Sequence, residues 1–185
     1  MIDRDTAWAL LTEFTKSNSL RKHALAVEAS MRAYAGRHGA DALAWGTAGM
    51  LHDFDYEMHP TAPHHPTKGA EILLARGVSP EVVYAILAHA DYSGYPRRSL
   101  LDRALYACDE LSGFVTACAL VRPGRAIAGL DAASVKKKLK DKGFARTVNR
   151  DDVYCGAEEL GVDLDAHITF VIGALTAVAP EIGLG

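Results

Sequence analysis

Apolar residues recur at helical spacing along almost the entire chain of 185 residues, whereas the strict alternation of a half-buried strand never extends beyond a few positions. Each segment therefore carries an apolar stripe that has to be buried against other helices. A chain of this length, 49% of it hydrophobic, can bury about 70% of its unfolded surface, which is enough for one core. The pattern predicts an all-α fold, a helical bundle, in a single domain spanning residues 1–185.

Capping residues and helix breakers divide this pattern into segments. Ser79 followed by Pro80 marks a helix start, whereas three prolines between residues 60 and 66 remove backbone donors and predict a loop over 54–66. A turn is expected at 91–96. Helices are predicted to begin after Asp3 and near Asn18 or Ser19, and to span about 40–53, 67–76, 80–89, 99–121, 150–160 and 163–178.

Charge and cysteine content limit the partners and the compartment. The formal net charge of −3 gives no overall attraction for nucleic acid or an anionic membrane, so an anionic substrate needs a local positive site. Three cysteines without CxxC spacing argue against disulfides and a thiolate zinc site. We expect a cytoplasmic protein without a targeting segment. The basic run from Lys136 to Lys142 is expected to be a solvated helix face, with a phosphate-attracting rim as the alternative.

Side chains that bind metals are spread through the helices at wide spacing. His23 lies at the edge of the apolar stripe of an early helix, and the adjacent His52 and Asp53 follow a buried apolar run at a helix end. Imidazole and carboxylate groups together suit divalent ions that accept nitrogen and oxygen ligands. The candidate metal ligands are His23, His52, Asp53, His65, His89 and Asp109.

Asp53 holds the central position in this hypothesis. Consecutive helical side chains lie about 100° apart, so His52 and Asp53 reach one ion only at a helix end or from opposite sides of it. A bridging carboxylate meets this condition. One oxygen of Asp53 would serve an ion held with His52 and Asp109, and the other would serve an ion held with His65 and His89. We expect one or two divalent ions, with Fe, Mn, Co, Ni, Zn and Mg as candidates.

This ordered set resembles the HD-domain superfamily of metal-dependent phosphohydrolases. That family combines a histidine on an early helix, a His-Asp pair, one or two further histidines and a late aspartate on a long helix. The matching positions are His23, the pair in Leu51-His52-Asp53-Phe54-Asp55, His65 in His64-His65-Pro66, His89 in Ile86-Leu87-Ala88-His89, and Asp109 in Ala107-Cys108-Asp109-Glu110. The resemblance spans about residues 20–115, and the lysine-rich tail is similar to that of small stand-alone bacterial-type HD hydrolases.

The resemblance implies a fold and an activity. The fold is an HD-domain helical bundle with the metal site in its core, followed by a helical extension over about 130–185. The activity is the hydrolysis of a phosphate ester of a nucleotide or related small metabolite by metal-activated water. The alternatives are a di-iron oxygenase of the same fold and a non-catalytic module that binds a nucleotide. Asp55, Tyr56 and Ala90 depart from the cyclic-dinucleotide branch, so that activity is not expected.

Two further residues are candidates for the chemistry beside Asp53. Asp55 could orient a metal-bound water or hold a ligand histidine in the required tautomer, with a helix-end cap as the alternative. Lys68 near a helix start could hold a phosphate, with a solvated lysine as the alternative. His64 competes with His65 as a ligand. The histidines expected at the solvent or at an interface are His38, His59 and His167.

Overall fold

Two helices of 21 residues, α2 (Asn18–His38) and α6 (Leu100–Leu120), are the longest elements, and most of the other helices pack against one or both of them. The computed structural model describes residues 2–185. No strand occurs among these residues, which confirms the all-α prediction. The helices are α1 (Arg4–Phe14), α2 (Asn18–His38), α3 (Ala42–Leu51), α4 (Thr67–Ala75), α5 (Pro80–Ala88), α6 (Leu100–Leu120), α7 (Ala132–Leu139), α8 (Arg150–Leu160), α9 (Leu164–Ala177) and α10 (Ala179–Ile182), with 3-10 turns at Asp91–Ser93 and Pro123–Arg125.

Polar side chains cap the starts of several helices. At the start of α6, Ser99 and Asp102 form a reciprocal capping box, in which Asp102 Oδ2 accepts from the Ser99 backbone N–H at 2.9 Å. At the start of α3, the Asp41 carboxylate accepts from two backbone N–H groups. Because of this cap, α3 begins two residues later than predicted. At its other end, α3 stops at Leu51 instead of the predicted Asp53.

Two buried apolar clusters divide α6 between them. The first contains side chains of α1 to α5 and the residues of α6 up to Cys108. The second contains the residues of α6 from Leu111 onward, together with side chains of α7 to α10. Asp109 and Glu110 lie between the two halves of this helix, at the junction of the clusters. These two carboxyl groups therefore lie outside both apolar clusters. The prediction of a single domain stays a prediction.

A close approach of two backbones brings α3 against α2. A Cβ atom added at Gly49 would lie 2.9 Å from backbone atoms of Val27 and Glu28, so only glycine fits here without a shift. Val27 lies one turn after His23 on α2, and Gly49 lies one turn before His52 and Asp53. The contact therefore draws the His-Asp pair toward His23.

His167 corrects one prediction. It was expected at the solvent or at an interface, but the structure buries it completely on α9. Its Nε2–H donates to the carbonyl of Ala107 at 2.9 Å, and the hydroxyl of Tyr34 donates to its Nδ1 at 2.7 Å. Both ring nitrogens are satisfied, so the polar ring can replace an apolar side chain in the core and link α9 to α2 and α6.

Within residues 2–185, no single helix is long and apolar enough to cross a membrane. Only α8 and α9 taken together pass that test of length and composition, and they meet at an angle of 100°.

Candidate metal centre

The end of α3 presents His52 to the interior with one ring nitrogen already occupied. Its Nδ1–H donates to the carbonyl of Gly49 at 2.8 Å, one turn back along the helix. Because that carbonyl can only accept, a proton lies on Nδ1, and Nε2 is the ring atom that can bind a metal. The side chain of His52 is fully buried. Its Nε2 is therefore fixed in direction and shielded from bulk water.

Three donor atoms converge on the first position, which we call the α6 group. Asp109 Oδ1 lies 3.0 Å from His23 Nε2 and 3.2 Å from His52 Nε2, and the two imidazole nitrogens lie 3.2 Å apart. These atoms come from α6, α2 and the end of α3. The tertiary packing thus brings together residues that are 86 positions apart in the chain.

The second position, which we call the loop group, unites Asp53, His65 and His89. Asp53 Oδ1 lies 3.1 Å from His65 Nε2 and 3.6 Å from His89 Nε2. The Nδ1–H of His89 donates to the carbonyl of Ile86 at 2.5 Å, which directs its Nε2 to the centre as in His52. Both histidines are buried.

Asp53 faces both groups. Its Oδ1 belongs to the loop group, while its Oδ2 lies 3.5 Å from His52 Nε2 and 4.0 Å from His23 Nε2. The two carboxylate oxygens therefore point toward different sets of nitrogen donors. This is the arrangement that a bridging carboxylate requires.

The spacing of the donors fits a divalent ion. Nitrogen and oxygen ligands at about 2.0 to 2.2 Å from an ion lie about 2.8 to 3.6 Å from their neighbours in octahedral or tetrahedral geometry. The distances of 3.0 to 3.2 Å within the α6 group fall in that range. The loop group is slightly wider, at 3.1 and 3.6 Å from Asp53. The donor set thus fits ions with imidazole and carboxylate ligands, although metal binding itself stays a prediction.

Asp55 lies behind the ligands and is fully buried. Its Oδ1 accepts from Nδ1–H of His65 at 2.7 Å and its Oδ2 accepts from the backbone N–H of Gly69 at 3.0 Å. A Cβ atom at Gly69 would lie 2.6 Å from the Asp55 carboxyl, so the glycine makes room for this contact. Of the roles considered for Asp55, the geometry favours the one that holds His65 in the required tautomer.

Lys68 and His64 are not brought to the centre. Lys68 is exposed, its Nζ lies 3.7 Å from Glu71 Oε1, and it does not line the cleft at the centre. Its position on α4 directs it to solvent, which favours the alternative of a solvated lysine, and the phosphate contact of Lys68 stays a prediction. His64 is exposed as well, while the adjacent His65 is buried and faces Asp53.

Asp55→Asn is expected to lower the affinity of the loop group for a metal by about 10- to 100-fold. The amide offers one acceptor where the carboxylate has two, so either His65 or Gly69 loses its partner. Isothermal titration of the metal-free protein with Mn²⁺ or Zn²⁺ would measure the change. The control is His64→Ala, which removes the exposed neighbour and should bind as the wild type does. Wild-type affinity in Asp55→Asn would contradict the role given to Asp55.

The family model of the HD domain matches residues 20–113, about half of the chain. The chain belongs to the HD-domain family. HD domains bind divalent metals and are generally hydrolases. No curated protein and no solved structure matches the chain significantly. All six side chains of the α6 and loop groups lie inside the matched region of this HD-domain protein.

Burial and opposite charges compete in setting the protonation of this HD-domain centre. Burial acts to lower the pKa of His52, but the charges of Asp53 and Asp109 raise it well above its usual value. Burial also acts to lower the pKa of His65, yet hydrogen bonds to Asp53 and Asp55 raise it to about 9. Without an ion, these imidazoles hold protons that a binding metal has to displace.

A cleft with a volume of about 1000 Å³ opens from the two groups to the surface of the HD-domain protein. Tyr56 and Tyr92 line it and are about half exposed, and the Tyr56 ring contacts His65 edge to face at 5.4 Å between centroids. Burial and the charge of Asp109 raise the pKa of the lining Glu110 to about 8.

Several lining residues were not singled out in the sequence. The only local signal for them was adjacency to a ligand or to its support, as for Glu110 after Asp109 and Tyr56 after Asp55. The lining residues missed in this way are Lys22, Tyr56, Tyr92, Glu110, Thr116 and Arg125.

Proposed function

We propose that this HD-domain protein is a metal-dependent phosphohydrolase that cleaves a phosphate ester of a nucleotide or related small metabolite. The observation that carries the proposal is the position of Asp53 between two groups of nitrogen and oxygen donors, at the base of an open cleft. Family membership supports a hydrolase, and the cleft provides room for an organic substrate next to the donors.

The α6 group would hold one ion through His23, His52 and Asp109, and the loop group would hold a second through His65 and His89, with Asp53 shared. A bound divalent ion lowers the pKa of its water to about 7 and polarises a phosphoryl oxygen.

The chain itself contributes positioning and hydrogen bonds. Asp55 and the carbonyls of Gly49 and Ile86 keep the Nδ1 protons in place, so that three imidazoles direct their Nε2 atoms to the centre. The hydroxyl groups of Tyr56 and Tyr92 at the cleft can donate hydrogen bonds to non-bridging phosphate oxygens. The buried walls exclude bulk water on the side opposite the opening, which strengthens these interactions.

The decisive experiment measures phosphate release without oxygen. Metal-free enzyme should be loaded under anaerobic conditions with Mn²⁺, Co²⁺, Ni²⁺, Mg²⁺ or Zn²⁺ and assayed against a panel of nucleotides and phosphomonoesters. A hydrolase needs a Lewis acid and no change of valence, so we expect turnover with at least one of these ions.

Two other outcomes would contradict the proposal. Activity that requires iron and dioxygen, with oxygen consumed in proportion to product, would assign the protein as a di-iron oxygenase. Tight binding of a nucleotide with no turnover under any of these conditions would assign it as a binding module.

A further inference from the structure

The cleft continues well beyond the metal centre along one face of α6. After Asp109 and Glu110, the lining residues on this helix are Gly113, Thr116, Ala117 and Leu120. A rise of about 1.5 Å per residue puts Leu120 about 16 Å along the helix axis from Asp109. The small side chains at 113 and 117 leave this stretch open. Together with the facing residues described next, it forms what we call the distal cleft.

A loop at residues 145–149 forms the facing wall of the distal cleft and is held firmly in place. The Arg150 guanidinium donates to four backbone carbonyls, those of Asp141, Phe144, Ala145 and Val148. Ala145 lines the cleft with a φ of 40°, a backbone conformation that residues other than glycine seldom adopt.

Two cations, Lys22 and Arg125, line the cleft beside residues 182–184. The Lys22 Nζ lies against Gly183, since a Cβ atom there would be 2.5 Å away. Two residues after Arg125, the backbone N–H of Ile127 donates to the carbonyl of Leu184 at 3.0 Å. Both cations therefore lie beside the same segment of the chain, residues 182–184, although they are about a hundred positions apart in sequence.

The partners of these polar groups are missing within the described chain. Within residues 2–185, neither Lys22 nor Arg125 forms a salt bridge, because the lysines and arginines that do so are at other positions. A polar ligand in the distal cleft would supply what each group lacks.

The charges of the cleft are separated along its length. Asp91, Glu110 and Asp152 line it near Asp109, whereas Lys22 and Arg125 line it beside residues 182–184. A second anionic group on a substrate would be repelled by the carboxylates and attracted by the two cations. The cleft therefore fits a molecule that is anionic at both ends.

We propose that the distal cleft selects phosphate esters whose organic body carries a second anionic group, a phosphate or a carboxylate, which Lys22 and Arg125 bind. This inference rests on the proposed function, because the scissile phosphate is assigned to the α6 and loop groups. The small residues Gly113 and Ala117 provide the space for the body of the substrate.

A series of linear diol phosphates tests the inference and measures the length of the substrate. Each 1,n-alkanediol monophosphate is compared with the corresponding bisphosphate, over chain lengths from short to long, by kcat/KM for phosphate release. We expect the bisphosphate to be preferred by at least about tenfold at one or more lengths, the effect of two partly exposed ion pairs. The double variant Lys22→Met, Arg125→Asn should lower this ratio to about two, the statistical factor for two equivalent phosphates.

The variants are chosen to preserve the fold. Methionine keeps the aliphatic stem of Lys22, and asparagine tolerates the φ of 53° at Arg125. The control, Arg103→Gln with Lys137→Met, removes the same two charges from exposed positions that do not line the cleft and should keep the wild-type ratio. A wild-type ratio of about two, or a tenfold ratio that persists in the double variant, would overturn the inference.

Failure of the proposed function has a different signature. If the wild type releases phosphate from none of the esters, calorimetric titration with the bisphosphates and the monophosphates replaces the kinetic ratio. Suppose that the wild type binds the bisphosphate more tightly than the monophosphate, and that this affinity ratio is about tenfold smaller in the double variant. That result would support the distal anion site without hydrolysis. Equal affinities of the wild type and the double variant for each ligand would overturn it.

Discussion

Asp53→Ala is expected to abolish metal binding and to lower phosphohydrolase activity by about a thousandfold or more. Asp53 lies between the α6 and loop groups, with one oxygen 3.1 Å from His65 Nε2 and the other 3.5 Å from His52 Nε2. Its loss removes the shared anion from both positions, and several kcal/mol of transition-state stabilisation corresponds to this factor. Metal content by mass spectrometry and turnover with the best ion would measure the effect.

The same variant should keep its helices. Asp53 follows the end of α3 and makes no capping bond there, so far-UV circular dichroism should match the wild type. The control Asp5→Ala removes an exposed carboxylate on α1 and should change neither metal content nor turnover. An Asp53→Ala protein with wild-type metal and activity would show that the centre lies elsewhere.

His89→Ala is expected to lower the metal content from about two ions to about one. His89 contributes only to the loop group, and its Nε2 lies 3.6 Å from Asp53 Oδ1. Loss of one of three donors weakens that position, while His23, His52 and Asp109 remain for the other ion. Metal content is to be measured on protein purified under anaerobic, metal-replete conditions, with turnover measured on the same sample.

The matched control for this prediction is His38→Ala. It removes an exposed histidine at the end of α2 that belongs to neither group, so its metal content should equal that of the wild type. A metal content of about one in both the wild type and His89→Ala would favour a mononuclear centre. In that case His65 and His89 would face the substrate as hydrogen-bond donors.

Local pattern predicted most of the helices. The bounds of α8 agree with the predicted 150–160, because Asn149 caps its start and Gly161 follows its end. α10 was missed, since four residues are too few for periodicity to indicate a helix. The predicted span of α3, about 40–53, was too wide. Eight of the ten residues of this helix are buried, so its apolar pattern does not show where the helix ends and the flanking segments begin.

The ligand residues could be predicted because their types and order are visible in the chain. The structure brings all six together, and it places His23 with His52 and Asp109, a grouping that spacing alone did not determine. The same packing turns Lys68 to solvent, the alternative left open for it, and places His167 in the core, against expectation. Periodicity tells which face of a helix is apolar, but the neighbour of that face depends on how the helices cross.

The sequence by itself determined the all-α class, the family and the set of donors, since these follow from residue type, spacing and order. Only the tertiary structure decided which oxygen of Asp53 faces which imidazoles, which carbonyls fix the tautomers, and where the cleft runs. The distal cleft is the clearest case, because Lys22, Arg125 and the loop at 145–149 meet only after α2 and α6 have packed against the carboxyl-terminal helices. Contacts between distant segments depend on how whole helices bury their apolar faces together, and no local pattern carries that information.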